Sequence, residues 1–322
     1  MIPIRDATPS KNVPIINNIL IGINVVVFVI ELLQGAGGDR FIYTYGLVPG
    51  RYTLDYLSRH FTFSQQVFSW LSFMFLHGGF LHLLGNMWFL YIFGDNVEDR
   101  LGPLRYLCFY LLCGVASGVT HFVLNAQSQA PVIGASGAVA GVMGAYFLLH
   151  PKSKILTLVP IIIIPFFFEI PAFFFLGIWF VLQFINASVG QGAAGGVAWW
   201  AHVGGFIFGM LFLKLFENLP GWGMTERLRK ATAKKKTHRL QVARPTPASQ
   251  RADIFATIVV SPYEALVGSR KLVTVPYGFQ RRMYNVIVPP GITAGKILRL
   301  KGQGRSTASG GRGDLLLKVT IQ

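Results

Sequence analysis

Three polar sites interrupt otherwise apolar segments of this sequence, and their residue types could support hydrolysis of an amide bond. Ser136 lies between glycines in "VIGASGAVAG" (132–141), and His202 lies in "AWWAHVGGFIFG". A serine hydroxyl is a poor nucleophile unless a base such as histidine accepts its proton during attack. We therefore predict that Ser136 is a nucleophile and His202 its base, if the fold brings them together.

The third polar site supplies hydrogen-bond donors. In "HGGFLHLLGNMWF", His82 and Asn86 are four residues apart, which places them on one face of a helix. Attack on an amide creates an oxyanion, which needs preorganised donors. We predict that His82, Asn86 and the backbone N–H of Ser136 are those donors. No acidic residue lies near the predicted outer ends of the segments that hold Ser136 and His202, so the residues predict a Ser-His dyad without a triad acid.

Each polar site alone has an ordinary structural explanation. A single serine in an apolar helix usually bonds its own backbone, and a lone buried histidine usually bridges two helices. The combination favours chemistry, because both segments carry small residues that let helix backbones approach closely. Those residues are Gly137, Gly141 and Gly144 in the first segment, and Gly205 and Gly209 in the second.

The composition indicates a membrane protein. Of 322 residues, 52% are hydrophobic and only 13% are charged. Six apolar stretches approach the length of about 20 residues that a membrane-spanning helix needs. The first is expected to be a retained span, since no A-x-A cleavage site follows it. The six stretches are roughly 15–34, 80–100, 104–124, 133–149, 171–187 and 196–216. They predict an all-α polytopic bundle of six transmembrane helices.

The basic residues predict the orientation of these spans. Residues 217–322 hold 19 of the 29 Lys and Arg but 5 of the 13 acids, whereas the loops near 125–132 and 188–195 hold no Lys or Arg. Because cytoplasmic loops carry an excess of Lys and Arg, we expect both termini in the cytoplasm of a multi-pass protein of the cell (inner or plasma) membrane. The polar sites would then open to the outer face. The mixed loop 35–79 is expected to lie partly in the membrane interface.

Residues 13–216 resemble the rhomboid family of intramembrane serine proteases. "HGGFLHLLGNMWFL" resembles the family's second helix, "GASG" its nucleophile motif and "AHVGGFIFG" its general-base helix. The order and spacing of these motifs also fit, as does "NVEDRLG" (Asn96 to Gly102) after the second span.

The resemblance implies roles for individual residues. Ser136 would be the nucleophile and His202 the base, with His82 and Asn86 helping the Ser136 amide to hold the oxyanion. Four further residues would shape the site: Gly134 and Gly137 around the serine, His77 at the outer mouth, and Gly205 on the histidine helix. The implied substrates are other transmembrane proteins, cut in or beside a helix, with water admitted through a polar cavity. No metal or cofactor is expected.

One segment departs from the family pattern. The stretch "KILTLVPIIIIPFFFEIPAFFF" contains Pro160, Pro165 and Pro171, and one helix cannot absorb three prolines at that spacing. We predict an extended or re-entrant connection on the inner side, leading into a fifth span from Pro171.

The chain after residue 216 has a different character. We predict domain boundaries at 1–216 (membrane domain), 217–250 (linker) and 251–322 (C-terminal domain). The linker is basic and contains prolines at 245 and 247. Its lysines 234–236 fit either contact with anionic membrane lipids or a solvated linker. Nucleic acid is not expected, because no aromatic residues interleave with these charges.

The C-terminal domain shows short alternating strands between Gly and Pro turns, which predict a small all-β sandwich. The stretch "SPYEALVG…VPPGITAGKILRLKGQG…GGRGDLLLKVTI" resembles a C-terminal domain of the DnaJ co-chaperones. That resemblance implies binding of an extended apolar peptide or client protein, by strand addition or in a groove. The matching structural positions are Pro289, Pro290, Gly291, Gly295, Gly302, Gly304, Gly313 and Asp314.

Two other functions compete with the protease. A catalytically inactive rhomboid-like protein could bind membrane clients as an adaptor, although inactive members usually lack the serine or the histidine. A transporter is disfavoured, because the polar sites cluster towards one face and the spans show no inverted repeat.

Overall fold

A computed structural model describes residues 1–8, 10–161, 164–189, 197–219, 240–242, 252–277, 280–306 and 311–322. Contacts divide the chain into two compact units, Met1–Thr232 and Ala233–Gln322. The predicted linker at 217–250, including lysines 234–236, lies almost wholly outside the described residues. Most of the predicted outer loop 188–195 also lies outside them.

The first unit is a bundle of apolar helices, and helices occupy all six of the predicted stretches. Four short helices lie between the first and second stretches. In chain order the helices are α1 (Ile15–Leu33), α2 (Gly38–Tyr45), α3 (Gly50–Thr53), α4 (Asp55–Ser58), α5 (Phe63–Ser72), α6 (Phe80–Leu101), α7 (Pro103–Leu124), α8 (Ser136–Leu149), α9 (Ala172–Val189) and α10 (Trp199–Asn218).

Length and composition qualify four of these helices as membrane spans within the described residues: α1, α7, α9 and α10. A fifth qualifies only if α6 is joined to the preceding Phe63–Phe75, across a bend of 75°. At 14 residues, α8 is about 21 Å long, which is shorter than a hydrocarbon core of about 30 Å. The protein is a helical membrane protein, and the count of six spans stays a prediction.

Helices α8 and α10 pack backbone against backbone. A Cβ atom added at Gly205 would overlap the carbonyl oxygen of Gly137, and one at Gly209 would overlap that of Gly141. On the other helix, a Cβ at Gly144 would overlap the Phe206 carbonyl. The glycines predicted from the sequence to allow a close approach therefore lie at the contact itself.

Carboxylates from α6 complete the start of α1, which has no side-chain cap of its own. The Glu98 carboxylate accepts the backbone N–H groups of Ile16 and Asn17, at 3.1 and 2.8 Å. Asp99 accepts those of Lys11 and Asn12, each at 2.9 Å. Negative groups at a helix N-terminus satisfy free N–H donors and oppose the helix dipole, so these acids tie α1 to α6.

The proline-rich connection between α8 and α9 is a β-hairpin. Strands Lys154–Ile161 and Ile164–Pro171 pair antiparallel, so the predicted extended connection is found, and α9 follows it directly at Ala172. An N-terminal strand that the sequence did not indicate, Ile2–Asp6, adds to the free edge of Lys154–Ile161. We number these strands β1 (Ile2–Asp6), β2 (Lys154–Ile161) and β3 (Ile164–Pro171).

The second unit is rich in β-strands: β4 (Leu240–Val242), β5 (Ile254–Val260), β6 (Ser269–Tyr277), β7 (Gln280–Val288), β8 (Ile297–Leu300) and β9 (Leu315–Ile321). The described strands form two three-stranded sheets, in the orders β4-β6-β7 and β5-β9-β8. Alternate residues of β5 and β9 point inward, and residues of both sheets share one apolar core. The sandwich arrangement of the two sheets stays a prediction.

Polar contacts hold the turns of this unit. Helix α11 (Pro262–Val267) begins with a capping box of Ser261 and Glu264, and Glu264 also binds Lys271 in a buried ion pair at 2.6 Å. The Asp314 carboxylate accepts the N–H of Gly302 at 2.8 Å and contacts Arg299, and these contacts lower the pKa of Asp314. Asp314, one of the positions that match the DnaJ pattern, therefore fixes the turn at Gly302.

We expect Gly209→Ala to destabilise the bundle by about 1–3 kcal/mol, because the new methyl group would force α8 and α10 apart. The matched control is Gly177→Ala in α9, where nothing lies within 4 Å of an added Cβ. That change should be neutral or stabilise the protein by at most about 1 kcal/mol. Unfolding midpoints in detergent measure both variants, and equal midpoints would contradict the close backbone contact.

Candidate active site

Ser136 is the first residue of α8, at the end of a tight turn. Gly134, two residues earlier, has φ +121°, a left-handed conformation that favours glycine. The Gly134 N–H donates to the carbonyl of Phe73 at 2.9 Å, which anchors the turn to the segment before α6. The N–H of Ser136 lies in the first turn of its helix, where no intrahelical acceptor is available.

His202 lies in the first turn of α10 and faces Ser136. Its Nε2 atom is 2.8 Å from the Ser136 Oγ atom, a hydrogen-bond distance for a serine and its base. The structure thus brings together the two residues that the sequence singles out. The contact between α8 and α10 sets this distance, because both residues lie near the N-terminal ends of those helices.

The other ring nitrogen of His202 has a partner that the dyad prediction omits. Its Nδ1 atom is 2.8 Å from the Oε1 atom of Gln183 in α9. The prediction considers only acids as partners for the histidine, and Gln183 is a neutral amide. Gln183 could have been found from the sequence, because a polar residue within an apolar span is uncommon and marks a candidate site.

Aromatic rings enclose the histidine. The Trp179 ring centroid is 6.1 Å from that of His202, with the planes inclined by 32°. Trp199 approaches the His202 ring edge-on, at 5.9 Å and 88°. Together with the two hydrogen bonds, these contacts restrict how the imidazole can rotate.

His82 and Asn86 lie on one face of α6, beside the serine turn. A Cβ atom at Gly134 would be 2.8 Å from the His82 ring, so a side chain there would displace it. The His82 Nδ1 atom accepts the Gly78 N–H at 3.4 Å, which leaves the proton of the neutral ring on Nε2. Asn86 is buried, and its Nδ2 donor has no hydrogen-bond partner within the described part of the chain.

His77 is not at the outer mouth, where the resemblance placed it. It is 1% exposed and lies behind His82, with the two ring centroids 5.1 Å apart. Its backbone N–H donates to the carboxylate of Glu31 at 3.1 Å. Glu31, near the end of α1, is itself buried. This hydrogen bond joins the end of α1 to the segment before α6.

The glycines around the dyad lie at crowded positions. A Cβ atom at Gly137 would overlap the side chain of Ser117 in α7, and one at Gly205 would overlap the Gly137 backbone. These residues therefore shape the helix contacts beside Ser136 and His202, without facing the cavity.

A cavity of about 500 Å³ joins the predicted dyad and the predicted side-chain donors to the oxyanion. Ser136, His202, His82, Asn86 and Gln183 all contribute to its wall. The remaining lining residues are mostly apolar: Leu81, Gly85, Phe89, Ile133, Val139, Met143, Trp179, Val197, Ala198 and Trp199. A large apolar cavity with a few convergent polar groups is typical of a ligand or active site.

Comparison with known proteins identifies both parts of the chain. The Rhomboid domain family matches residues 64–217, and the DnaJ C terminal domain family matches residues 237–322.

Among similar proteins, Rhomboid protein 1, mitochondrial, of Saccharomyces cerevisiae is 31% identical over 234 residues. That match covers 70% of this chain but only 56% of the yeast protein, so the chain spans about half the length of this relative. Rhomboid protease GlpG of Haemophilus influenzae is 29% identical over 149 residues, which cover 46% of this chain and 68% of GlpG. The protein therefore belongs to the rhomboid family, and its chain continues past the rhomboid domain into a DnaJ C-terminal domain.

Proposed function

We propose that this protein is an intramembrane serine endopeptidase that cleaves transmembrane proteins in or near their membrane spans. The observation that carries the proposal is the 2.8 Å contact between Ser136 Oγ and His202 Nε2, on the wall of a cavity large enough to admit a peptide segment. The similarity to a protein named rhomboid protease supports the same chemistry.

The proposed reaction proceeds through an acyl-enzyme. The Ser136 oxygen attacks the substrate carbonyl while its proton moves to His202 Nε2. His202 then protonates the leaving amine as the C–N bond breaks, and a water molecule, activated by the same histidine, hydrolyses the ester. Because Ser136 lies on the cavity wall, both the substrate and this water can reach it.

Donors to the oxyanion are available on two sides of the serine. The N–H of Ser136 has no intrahelical acceptor, and the buried Nδ2 atom of Asn86 has no described partner. The His82 Nε2–H group would be a third donor. An unpaired buried donor is costly, so a developing negative charge within reach of Asn86 would be strongly stabilised.

Several contacts support a topology in which both ends of the membrane domain lie on one side. The C-terminal ends of α6 and α10 meet through an ion pair of Arg100 and Glu217 at 2.6 Å, and the N-terminal strand β1 pairs with β2 after α8. The catalytic groups lie near the opposite ends of α6, α8 and α10. With the basic residues of the sequence, this arrangement favours six spans in a cell membrane, cytoplasmic termini, and an active site that opens to the outer face.

For the second unit we propose capture of an extended apolar peptide or client protein. One of the two edge strands of the described β4-β6-β7 sheet is β7, where Met283 and Ile287 project from the same face and are 62% and 64% exposed. An extended peptide added along β7 could pair its backbone with this edge and pack apolar side chains on these residues. In the cytoplasm, this unit would bind a segment of a membrane substrate.

The competing function is an inactive rhomboid-like adaptor that binds membrane clients without cutting them. Such a protein has no need for a serine and a histidine at hydrogen-bond distance in a cavity, so the geometry favours the protease. Activity measurements separate the two functions directly.

We expect the purified full chain to cleave a single-span model substrate, and Ser136→Ala or His202→Ala to lower kcat by at least about 1000-fold, because each removes a group that acts in every turnover. A matched control is Ser188→Ala, which removes an exposed hydroxyl that donates to the Phe184 carbonyl of its own helix. Labelling of Ser136 by a fluorophosphonate should also require His202. Full activity in either alanine variant would contradict the dyad, and an inactive native protein that binds the substrate would favour the adaptor.

Removal of one oxyanion donor should affect kcat more than KM. We expect Asn86→Ala to lower kcat by about 100- to 1000-fold, because the lost hydrogen bond is strongest in the transition state. Asn96→Ala is a suitable comparison, since Asn96 lies on the same helix but near its C-terminal end, where it donates to Asp6 at 2.9 Å. An unchanged kcat in Asn86→Ala would remove Asn86 from the proposed oxyanion site.

Deletion of residues 233–322 tests the second unit. If this unit only captures substrates, kcat/KM for a short generic substrate should stay within about twofold, while a substrate with a long apolar cytoplasmic segment should lose affinity. Met283→Lys with Ile287→Lys in the full chain should reproduce that loss, because it removes the apolar contacts along β7. Complete inactivity of the truncated protein towards both substrates would indicate an obligate structural role instead.

A further inference from the structure

Gln183 holds the position next to His202 that an acid occupies in a three-residue catalytic group. Its Oε1 atom is 2.8 Å from His202 Nδ1, and Ser136 Oγ is 2.8 Å from His202 Nε2, so the three side chains form one hydrogen-bonded row. We propose that Gln183 is a positioning residue that fixes the tautomer and the orientation of His202. This inference rests on the proposed protease function for its effect on rate.

The tautomer follows from the chemistry of the amide. A carbonyl oxygen can only accept a hydrogen bond, so the nitrogen that faces Gln183 Oε1 must carry the proton. A neutral imidazole has one protonated nitrogen, which leaves the lone pair of His202 on Nε2. That lone pair is the acceptor that Ser136 needs. Without the amide, the ring could take the other tautomer, which points an N–H at the serine and cannot act as a base.

The orientation depends on two residues of the same helix. Trp179 and Gln183 are four residues apart in α9, so both side chains lie on one face of it. Trp179 places an indole ring beside the imidazole at 6.1 Å, and Gln183 bonds its Nδ1 atom. Helix α9 therefore limits both tilt and rotation of His202.

A neutral amide suits this depth in a membrane bundle. Gln183 is 8% exposed, and a carboxylate buried there would lose its hydration at a large free-energy cost. An amide gives up part of the stabilisation that an anion would provide to the protonated ring. In exchange, it fixes the tautomer without a buried charge. Proton transfer stays on the Nε2 side throughout: from Ser136 on attack, to the leaving amine on collapse, and from water in the second half of the reaction.

The test compares Gln183→Leu and Gln183→Glu with native protein in the full chain. Leu removes the acceptor, so kcat should fall about 10- to 100-fold with little change in KM, as expected for loss of a group that orients a catalytic one. Glu restores an acceptor and adds a charge. It should recover activity above neutral pH and move the acid limb of the pH profile upward, because a carboxylate beside Nδ1 favours the protonated ring. The matched control is Leu182→Ala, which changes the neighbouring residue on the half-exposed face of α9.

A readout that needs no catalysis separates this inference from the protease proposal. In protein with ¹⁵N-labelled histidine, the His202 signals, assigned by their loss in His202→Ala, should show Nδ1 protonated in native protein and a mixture of tautomers in Gln183→Leu. An unchanged tautomer in Gln183→Leu, or a loss of kcat matched by Leu182→Ala, would overturn the positioning role. If native protein cleaves no substrate, the protease proposal fails, and the tautomer measurement still decides the role of Gln183.

Discussion

The contact between the backbones of α8 and α10 is the constraint on which the proposed active site depends. Ser136 starts one of these helices and His202 lies in the first turn of the other. The spacing between the two helices therefore sets the distance between the two side chains. At Gly137 with Gly205, and at Gly141 with Gly209, no side chain stands between the two backbones. In a bilayer, where apolar side chains gain little by leaving lipid, such close packing is a main source of helix association. The same glycines that hold the bundle together therefore set a hydrogen-bond distance.

Most of the polar groups discussed above are paired by hydrogen bonds inside the bundle. Glu98 and Glu31 accept backbone N–H groups that would otherwise lie unpaired, at the start of α1 and before α6. Gln183 pairs with His202, and His202 with Ser136. Several buried side-chain atoms have no partner among the described residues, and of these the Asn86 Nδ2 donor belongs to a residue that lines the cavity. Unpaired buried donors are rare in folded proteins, and one that lines a cavity beside a serine is a reasonable place for a transient negative charge.

The hairpin between α8 and α9 was only partly predictable from the sequence. Three prolines in the sequence exclude a helix there, and the extended conformation was predictable on that ground. Its pairing with β1 was not, since the partner residues Ile2 and Leu158 are far apart in the chain and short strands carry little signal of their own. The contact between His77 and Glu31 was equally unpredictable, because it joins the end of α1 to the segment before α6.

The sequence by itself determined the membrane character of the first 216 residues, the positions of the main helices, and the change to β-strands after the linker. It also singled out the serine, the histidines and the asparagine that meet in one cavity. These properties depend on local composition and on spacing within one helix or strand. The tertiary structure alone decided that Gln183 bonds His202, that His77 lies behind His82, and that Glu98 caps a helix distant in the chain. Each of these contacts joins separate elements, and the identity of a residue does not specify which distant backbone or side chain it will face.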